Sequence, residues 1–143
     1  KKMVDTFKEK TSKAQLLQSD KDSSLSWHEI ITLASLIEKE TGLDSERKMI
    51  SSVFHNRLRR NMRLQTDPTV IYAIEKFDGN IRKRDLKIDS PYNTYRYKGL
   101  PPGPIASPGI KSIIAAISPV ESDRLYFVSQ KNGSHYFSST LIL

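Results

Sequence analysis

The segment SWHEIITLASLIEKETG, residues 26–42, constrains this chain most. Trp27, Ile30, Ile31, Ala34 and Ile37 recur at helical spacing. Ser26 followed three residues later by Glu29 is a capping-box arrangement, and Gly42 supplies a C-terminal stop. The segment therefore predicts a helix over 26–41 with both ends marked, and it is unusually apolar for one that carries Glu38 and Glu40 near its end.

The rest of the chain is punctuated in the same way. Residues 1–19 read as a helix with Met3, Val4, Phe7, Ala14, Leu16 and Leu17 as its apolar residues, followed by the polar break SDKDSS. Residues 1–22 are thus expected to be the helical tail of a preceding domain or a linker, and 23–143 the main domain. A second amphipathic helix is expected over 45–62, capped by Asp44 or Ser45, with Met49, Ile50, Val53, Phe54 and Leu58 as its stripe. Arg57 falls inside that stripe, and a buried arginine needs a carboxylate or several carbonyl partners. A third helix is expected over 68–77, with Asp67 as N-cap and Pro68 at its first position. A fourth runs from Ser107-Pro108 to Ile117 and is ended by Pro119. Two alternating segments, 125–129 and 135–139, flank Asn132-Gly133, a strong hairpin signal. The fold class is α+β: several amphipathic helices packed with a small antiparallel β element that includes a C-terminal hairpin.

Composition narrows the chemistry. Cysteine is absent, which removes disulfides, thiolate catalysis and Cys-based zinc sites. His28, His55 and His135 have no metal-ligand spacing, and neither a glycine-rich phosphate loop nor a GxSxG elbow occurs. No cofactor and no metal are expected. The net charge of +7 suits polyanions of any kind, including nucleic acid, anionic wall polymers and lipid headgroups. The clusters Arg57, Arg59, Arg60, Arg63 and Arg82, Lys83, Arg84, Lys87 read as solvated faces. No RNP, KH or helix-turn-helix signature accompanies them, so nucleic acid is not an expected partner. No apolar run approaches the roughly 20 residues of a membrane-spanning helix. The chain opens on Lys1 and is expected to be a piece of a longer protein.

What remains is carboxylate chemistry. A carboxyl beside Trp27, Ile31 and Ala34 would be desolvated, which raises its pKa and suits it to donate a proton. Most glutamates on helices do no chemistry, and a helix-end carboxylate solvated or paired with an arginine such as Arg57 is the plainer reading. Periodicity does not separate Glu38 from Glu40, because both fall on borders of the apolar face. A second concentration of signal lies in SPYNTYRYKGLPPGPIASPG, residues 90–109. Long loops in compact domains are usually functional or disordered, and one stiffened by proline and rich in tyrosine suits a glycan groove. LQTDPTVIY, residues 64–72, is similar, although Asp67 serves equally as a cap.

ASLIEKETG, VFHNRLRRNMRLQTDPTVIYAI, SPYNTYRYKGLPPGPIASPG and LYFVSQKNGSHYF resemble, in the same order, the MltG (YceG-like) family of endolytic peptidoglycan transglycosylases. The resemblance covers most of residues 27–140, and RLQTDPTV and YNTY…GLPPGPI are its most specific pieces. It implies a lyase that cuts between N-acetylmuramic acid and N-acetylglucosamine without water and leaves 1,6-anhydro ends. The resemblance, not helix geometry, places the catalytic acid and base at Glu38. It further implies Asn56, Gln65, Thr66, Asp67, Tyr92, Asn93, Thr94 and Tyr95 as substrate-binding candidates, with Glu40 and Arg57 supporting the site. A substrate that carries its own nucleophile, the 6-hydroxyl, explains why one carboxylate suffices where ordinary glycosidases need two. The implied partners are peptidoglycan strands and cell-wall synthases (penicillin-binding proteins), at the extracytoplasmic face of the bacterial cytoplasmic membrane. Membrane attachment is expected only through an N-terminal anchor outside this chain. Ser107 stands where the family usually has Asn or Thr, and the chain ends at SSTLIL where the family continues into a further helix, so that helix is expected to be truncated. A non-catalytic glycan-binding module is the alternative.

Overall fold

The computed structural model describes residues 25–130 and 132–141. The helix expected over 1–19, and with it the boundary near residue 22, lies outside the described residues. Within them the order is α1 (Trp27–Glu40), a 3-10 turn (Asp44–Glu46), α2 (Arg47–Arg59), α3 (Asp67–Ala73), a second 3-10 turn (Asp85–Lys87), α4 (Ile110–Ile117), β1 (Tyr126–Ser129) and β2 (His135–Ser138). The architecture is α+β, as the punctuation predicts. The two strands form an antiparallel hairpin in which Phe127 faces Phe137 and Ser129 faces His135. Gly133 takes the positive φ of 86° that the turn requires.

α1 is the centre of the fold. Its capping box closes as expected: Ser26 Oγ accepts the Glu29 N–H, and Glu29 Oε1 accepts the Ser26 N–H at 3.0 Å. Ile30, Leu33, Ala34, Leu36 and Ile37 are fully buried. Each large side chain so buried contributes roughly 1.5–3 kcal/mol. α4, α2 and α3 all pack against α1, and α2 also packs against α4 and β1. Phe54 of α2 meets Phe127 of β1 edge-on at 5.6 Å, which joins the hairpin to the core.

Several ends differ from expectation. α1 stops before Gly42, because Thr41 turns extended and its hydroxyl accepts the Leu43 N–H. α2 starts after a 3-10 turn, without a side-chain cap from Asp44 or Ser45. It ends earlier than residue 62 because Asn61 adopts φ 58°. The Asn61 N–H then returns to Leu58 and the Met62 N–H to Arg57, a Schellman closure made with Asn in place of Gly. Asp67 is the first residue of α3, not its cap, and that helix ends at Ala73. α4 begins at Ile110 rather than beside Ser107. Among the described residues no helix is long and apolar enough to cross a membrane. Of the two basic clusters, Arg59, Arg60, Arg63, Arg82, Lys83, Arg84 and Lys87 are exposed, whereas Arg57 is buried.

Candidate active site

The C-terminal end of α1 presents its two carboxylates to different surroundings. They stand two residues apart, about 200° around the helix. Glu38 turns toward the start of α4. Its Oε1 accepts the Gly109 N–H at 2.8 Å and the Ser112 hydroxyl at 3.0 Å. Its Oε2 lies 3.8 Å from Arg47 Nη1 on α2. Arg47 itself donates to Ser112 Oγ, to Asp44 and to the Thr41 carbonyl. Glu38 therefore holds Gly109, the N-cap residue of α4, from a distant helix, where a carboxylate also complements the helix dipole. Glycine at 109 suits this approach, since a Cβ there would stand 3.3 Å from Oε1. The Glu38 side chain remains 31% exposed.

Glu40 turns the other way and is only 14% exposed. Its Oε2 accepts the Thr66 hydroxyl at 2.6 Å, and its Oε1 faces His135 Nε2 at 3.8 Å. Burial pushes the Glu40 carboxyl above its ordinary value against the opposing pull of Thr66 and His135. The desolvation argument from the sequence thus attaches to Glu40. His135 is fixed in turn by Glu46, which accepts both its backbone N–H at 2.7 Å and its Nδ1–H at 2.8 Å. Burial raises the Glu46 carboxyl, but these bonds outweigh it and leave it below its ordinary value. A group whose folded pKa is raised loses its stabilising contribution as pH rises through that pKa. Substitution Glu40→Gln removes this titration, so the melting temperature of the variant relative to wild type should climb as pH rises above the ordinary glutamate value of 4.5. Parallel thermal melts across that range check it, and a constant difference would contradict it.

Thr66 leads to the loops. Thr94 Oγ1 accepts the Thr66 N–H at 3.0 Å and meets Thr69 Oγ1 at 2.8 Å, while the Thr94 carbonyl accepts the Gln65 N–H. This buried hydroxyl ladder binds the 64–67 and 92–95 segments side by side. It holds Gln65 at φ 50°, a left-handed conformation costly for a residue with a side chain, and leaves that side chain exposed. The Tyr95 hydroxyl donates to Asp67 Oδ1. Burial and the adjacent carboxylate hold the Tyr95 phenol well above its usual range. Asn93 is fully buried: its amide donates to the Leu86 and Ile88 carbonyls and its Oδ1 accepts the Tyr95 N–H. The Tyr92 and Tyr72 rings lie 4.8 Å apart, with Tyr72 half exposed. The proline-rich stretch beyond is pinned to α1, the Ile105 N–H donating to Ser35 Oγ and His28 Nε2 to the Pro102 carbonyl.

The structure thus joins Glu40, Thr66, Asp67, Thr94 and Tyr95 through hydrogen bonds, with Gln65 held by its backbone. Asn56 and Arg57 stand apart. The Asn56 amide donates to the Ser122 and Arg124 carbonyls, and its Oδ1 accepts from Arg59. Among the described residues Arg57 meets no carboxylate. It donates to the carbonyls of Leu125, Arg63 and Leu64 and stacks over Tyr126, so it ties the hairpin to the entry of the Gln65 loop. The arginine beside Glu38 is Arg47. Sequence reasoning missed Arg47, Gly109, Ser112, His135 and Tyr72. The first three are brought together only by packing. Among the described residues no group of three or more His, Asp or Glu side chains is placed to hold a metal ion.

Known proteins are similar to this chain in sequence and in fold. The chain is 50% identical over 121 residues to a Bacillus subtilis protein named endolytic murein transglycosylase, covering 85% of this chain and 34% of that protein. It is 42% identical over 125 residues to a protein of the same name from Streptococcus pneumoniae, covering 83% of this chain and 23% of that one. The chain therefore spans about a third of the first relative's length and less of the second's. The crystal structure of a yceG-like protein from Listeria monocytogenes superposes with a TM-score of 0.75 at 46% identity, over 95% of this chain and 41% of that one. The model of the YceG-like family matches residues 1–142, and this chain belongs to that family.

Proposed function

We propose that this domain is the catalytic part of an endolytic peptidoglycan transglycosylase in which Glu38 alone serves as acid and then base. The observation that carries the reading is the Glu38 carboxylate itself, held from α4 and α2 yet open to solvent at the end of the central helix, in a chain 50% identical to a protein named endolytic murein transglycosylase. The reaction cuts the bond between N-acetylmuramic acid and N-acetylglucosamine. The Glu38 carboxyl gives its proton to the glycosidic oxygen as the bond from that oxygen to the anomeric carbon breaks. The 6-hydroxyl oxygen of the muramic residue bonds to the anomeric carbon, and its proton passes to the Glu38 carboxylate. The acid is regenerated, no water is consumed, and the new end is a 1,6-anhydro sugar.

The protein's remaining task is to hold the sugar and stabilise an oxocarbenium-like transition state. Among the candidates, Gln65 and Asp67 are exposed and Tyr92 and Tyr95 partly so, and these four would contact the strand, with Tyr72 added as a stacking face. Asn56, Thr66, Asn93, Thr94, Glu40 and Arg57 would hold the frame through the bonds described above. The enzyme would act at the outer face of the bacterial cytoplasmic membrane, anchored by a segment outside this chain and working beside wall synthases. The test is to incubate the full-length protein with purified glycan strands and analyse the products by mass spectrometry. Anhydro ends are expected. Strands bound but left uncut would favour a glycan-binding module instead.

A further inference from the structure

We infer that Arg47, Ser112 and the Gly109 N–H form a positioning cradle that reserves Oε2 of Glu38 for the working proton. The inference rests on the reading of Glu38 as the acid and adds which oxygen acts and what makes it act. Oε1 already accepts two donors, the Gly109 N–H at 2.8 Å and the Ser112 hydroxyl at 3.0 Å. A proton placed on Oε1 would face both, so the proton belongs on Oε2. Ser112 is fully buried, and its hydroxyl has one direction left to point, because its oxygen accepts from Arg47 Nη1 at 2.8 Å. The chain Arg47 to Ser112 to Oε1 is therefore polarised in one sense, each group donating toward Glu38.

Arg47 completes the device. Its Nε donates to Asp44 and its Nη1 to Ser112 and the Thr41 carbonyl, without needing Glu38. It sits 3.8 Å from Oε2, beyond hydrogen-bond reach but within strong Coulombic range. While Oε2 carries its proton, Arg47 gains little from it. As the proton leaves for the glycosidic oxygen, negative charge appears on Oε2 opposite a cation already in place. That stabilisation is confined to the transition state and the carboxylate it produces, the kind that raises kcat rather than binding. The proton of the 6-hydroxyl then returns to the same Oε2, since Oε1 stays occupied throughout.

The test uses the full-length protein on purified glycan strands, with Glu38→Gln, Gly109→Ala, Ser112→Ala, Arg47→Gln and Arg47→Lys assayed beside wild type. Gly109→Ala keeps the N–H and a φ of −76° that alanine accepts, yet crowds Oε1 at 3.3 Å. It should lower kcat by about 10- to 100-fold with KM nearly unchanged. Ser112→Ala should lower kcat similarly and move the alkaline fall of the kcat–pH profile to higher pH, since a donor to the anion is lost. A purely structural serine would not move that limb. Arg47→Lys should recover most of the kcat that Arg47→Gln loses. An active Glu38→Gln would remove Glu38 and the cradle with it. A dead Glu38→Gln alongside wild-type kcat and pH profiles in both Gly109→Ala and Ser112→Ala would overturn the cradle and leave Glu38 standing. Should Ser112→Ala fail to fold, Gly109→Ala and the Arg47 pair decide the matter alone.

Discussion

Glu38→Gln is expected to lower strand cleavage by at least about 1,000-fold, within the range that general acid–base groups supply, and to leave the melting temperature nearly unchanged. The amide oxygen of Gln can still accept the Gly109 N–H and the Ser112 hydroxyl that bond Oε1 in the wild type. The α4 start should therefore keep its tie to α1, with the packing of the two helices undisturbed. What Gln cannot do is deliver a proton to the leaving oxygen or take one from the 6-hydroxyl. Cleavage assays with circular dichroism on the same preparation separate these effects. Retained activity in Glu38→Gln together with loss in Glu40→Gln would move the catalytic role two residues along α1. That outcome is a real contest, because Glu40 is the carboxyl whose surroundings raise its pKa.

Arg57→Met is expected to cost about 3 kcal/mol of stability, through unpaired buried polar groups rather than lost charge. Arg57 donates to three carbonyls, those of Leu125, Arg63 and Leu64. Methionine fills a similar volume and offers them nothing. Removing the buried guanidinium recovers some desolvation cost, which keeps the loss below the sum of three unmade bonds. For a domain of this size the melting temperature should drop by about 10 °C. Arg57→Lys should recover only part of it, since one ammonium cannot span carbonyls that a planar fork reaches. Urea unfolding of the variants checks the ranking, and a loss under about 1 kcal/mol in Arg57→Met would mean that those carbonyls find other partners. Because Arg57 joins the hairpin to the entry of the Gln65 loop, its loss should also weaken strand cleavage.

Local signals were readable wherever the chain satisfies its own ends. The capping box of α1 is written in residues 26–29, and its buried stripe follows the helical period. The hairpin follows from Asn132-Gly133 and its flanking alternation. Sequence reasoning overran α2 because Asn61, not a glycine, takes the left-handed turn that closes it. It misplaced the start of α4 because the N-cap is Gly109, held by Glu38, 71 residues away in the chain. For the same reason the site was only partly legible. Periodicity left Glu38 and Glu40 equivalent, and only packing gives one an arginine and a helix terminus and the other a buried threonine and histidine. The family resemblance chose the position that geometry now surrounds with donors. Arg47 and Ser112 carried no sequence signal, since each is an ordinary residue of an amphipathic helix until α2 and α4 meet.

Cleavage in oxygen-18 water tests the water-free mechanism most directly. Wild-type full-length protein digests purified strands in heavy-oxygen water, and the products are weighed at once by mass spectrometry. The account predicts new muramic ends lighter than reducing ends by one water and free of the heavy label. Reducing ends carrying oxygen-18 from the first time point would indicate hydrolysis and contradict the proposed mechanism.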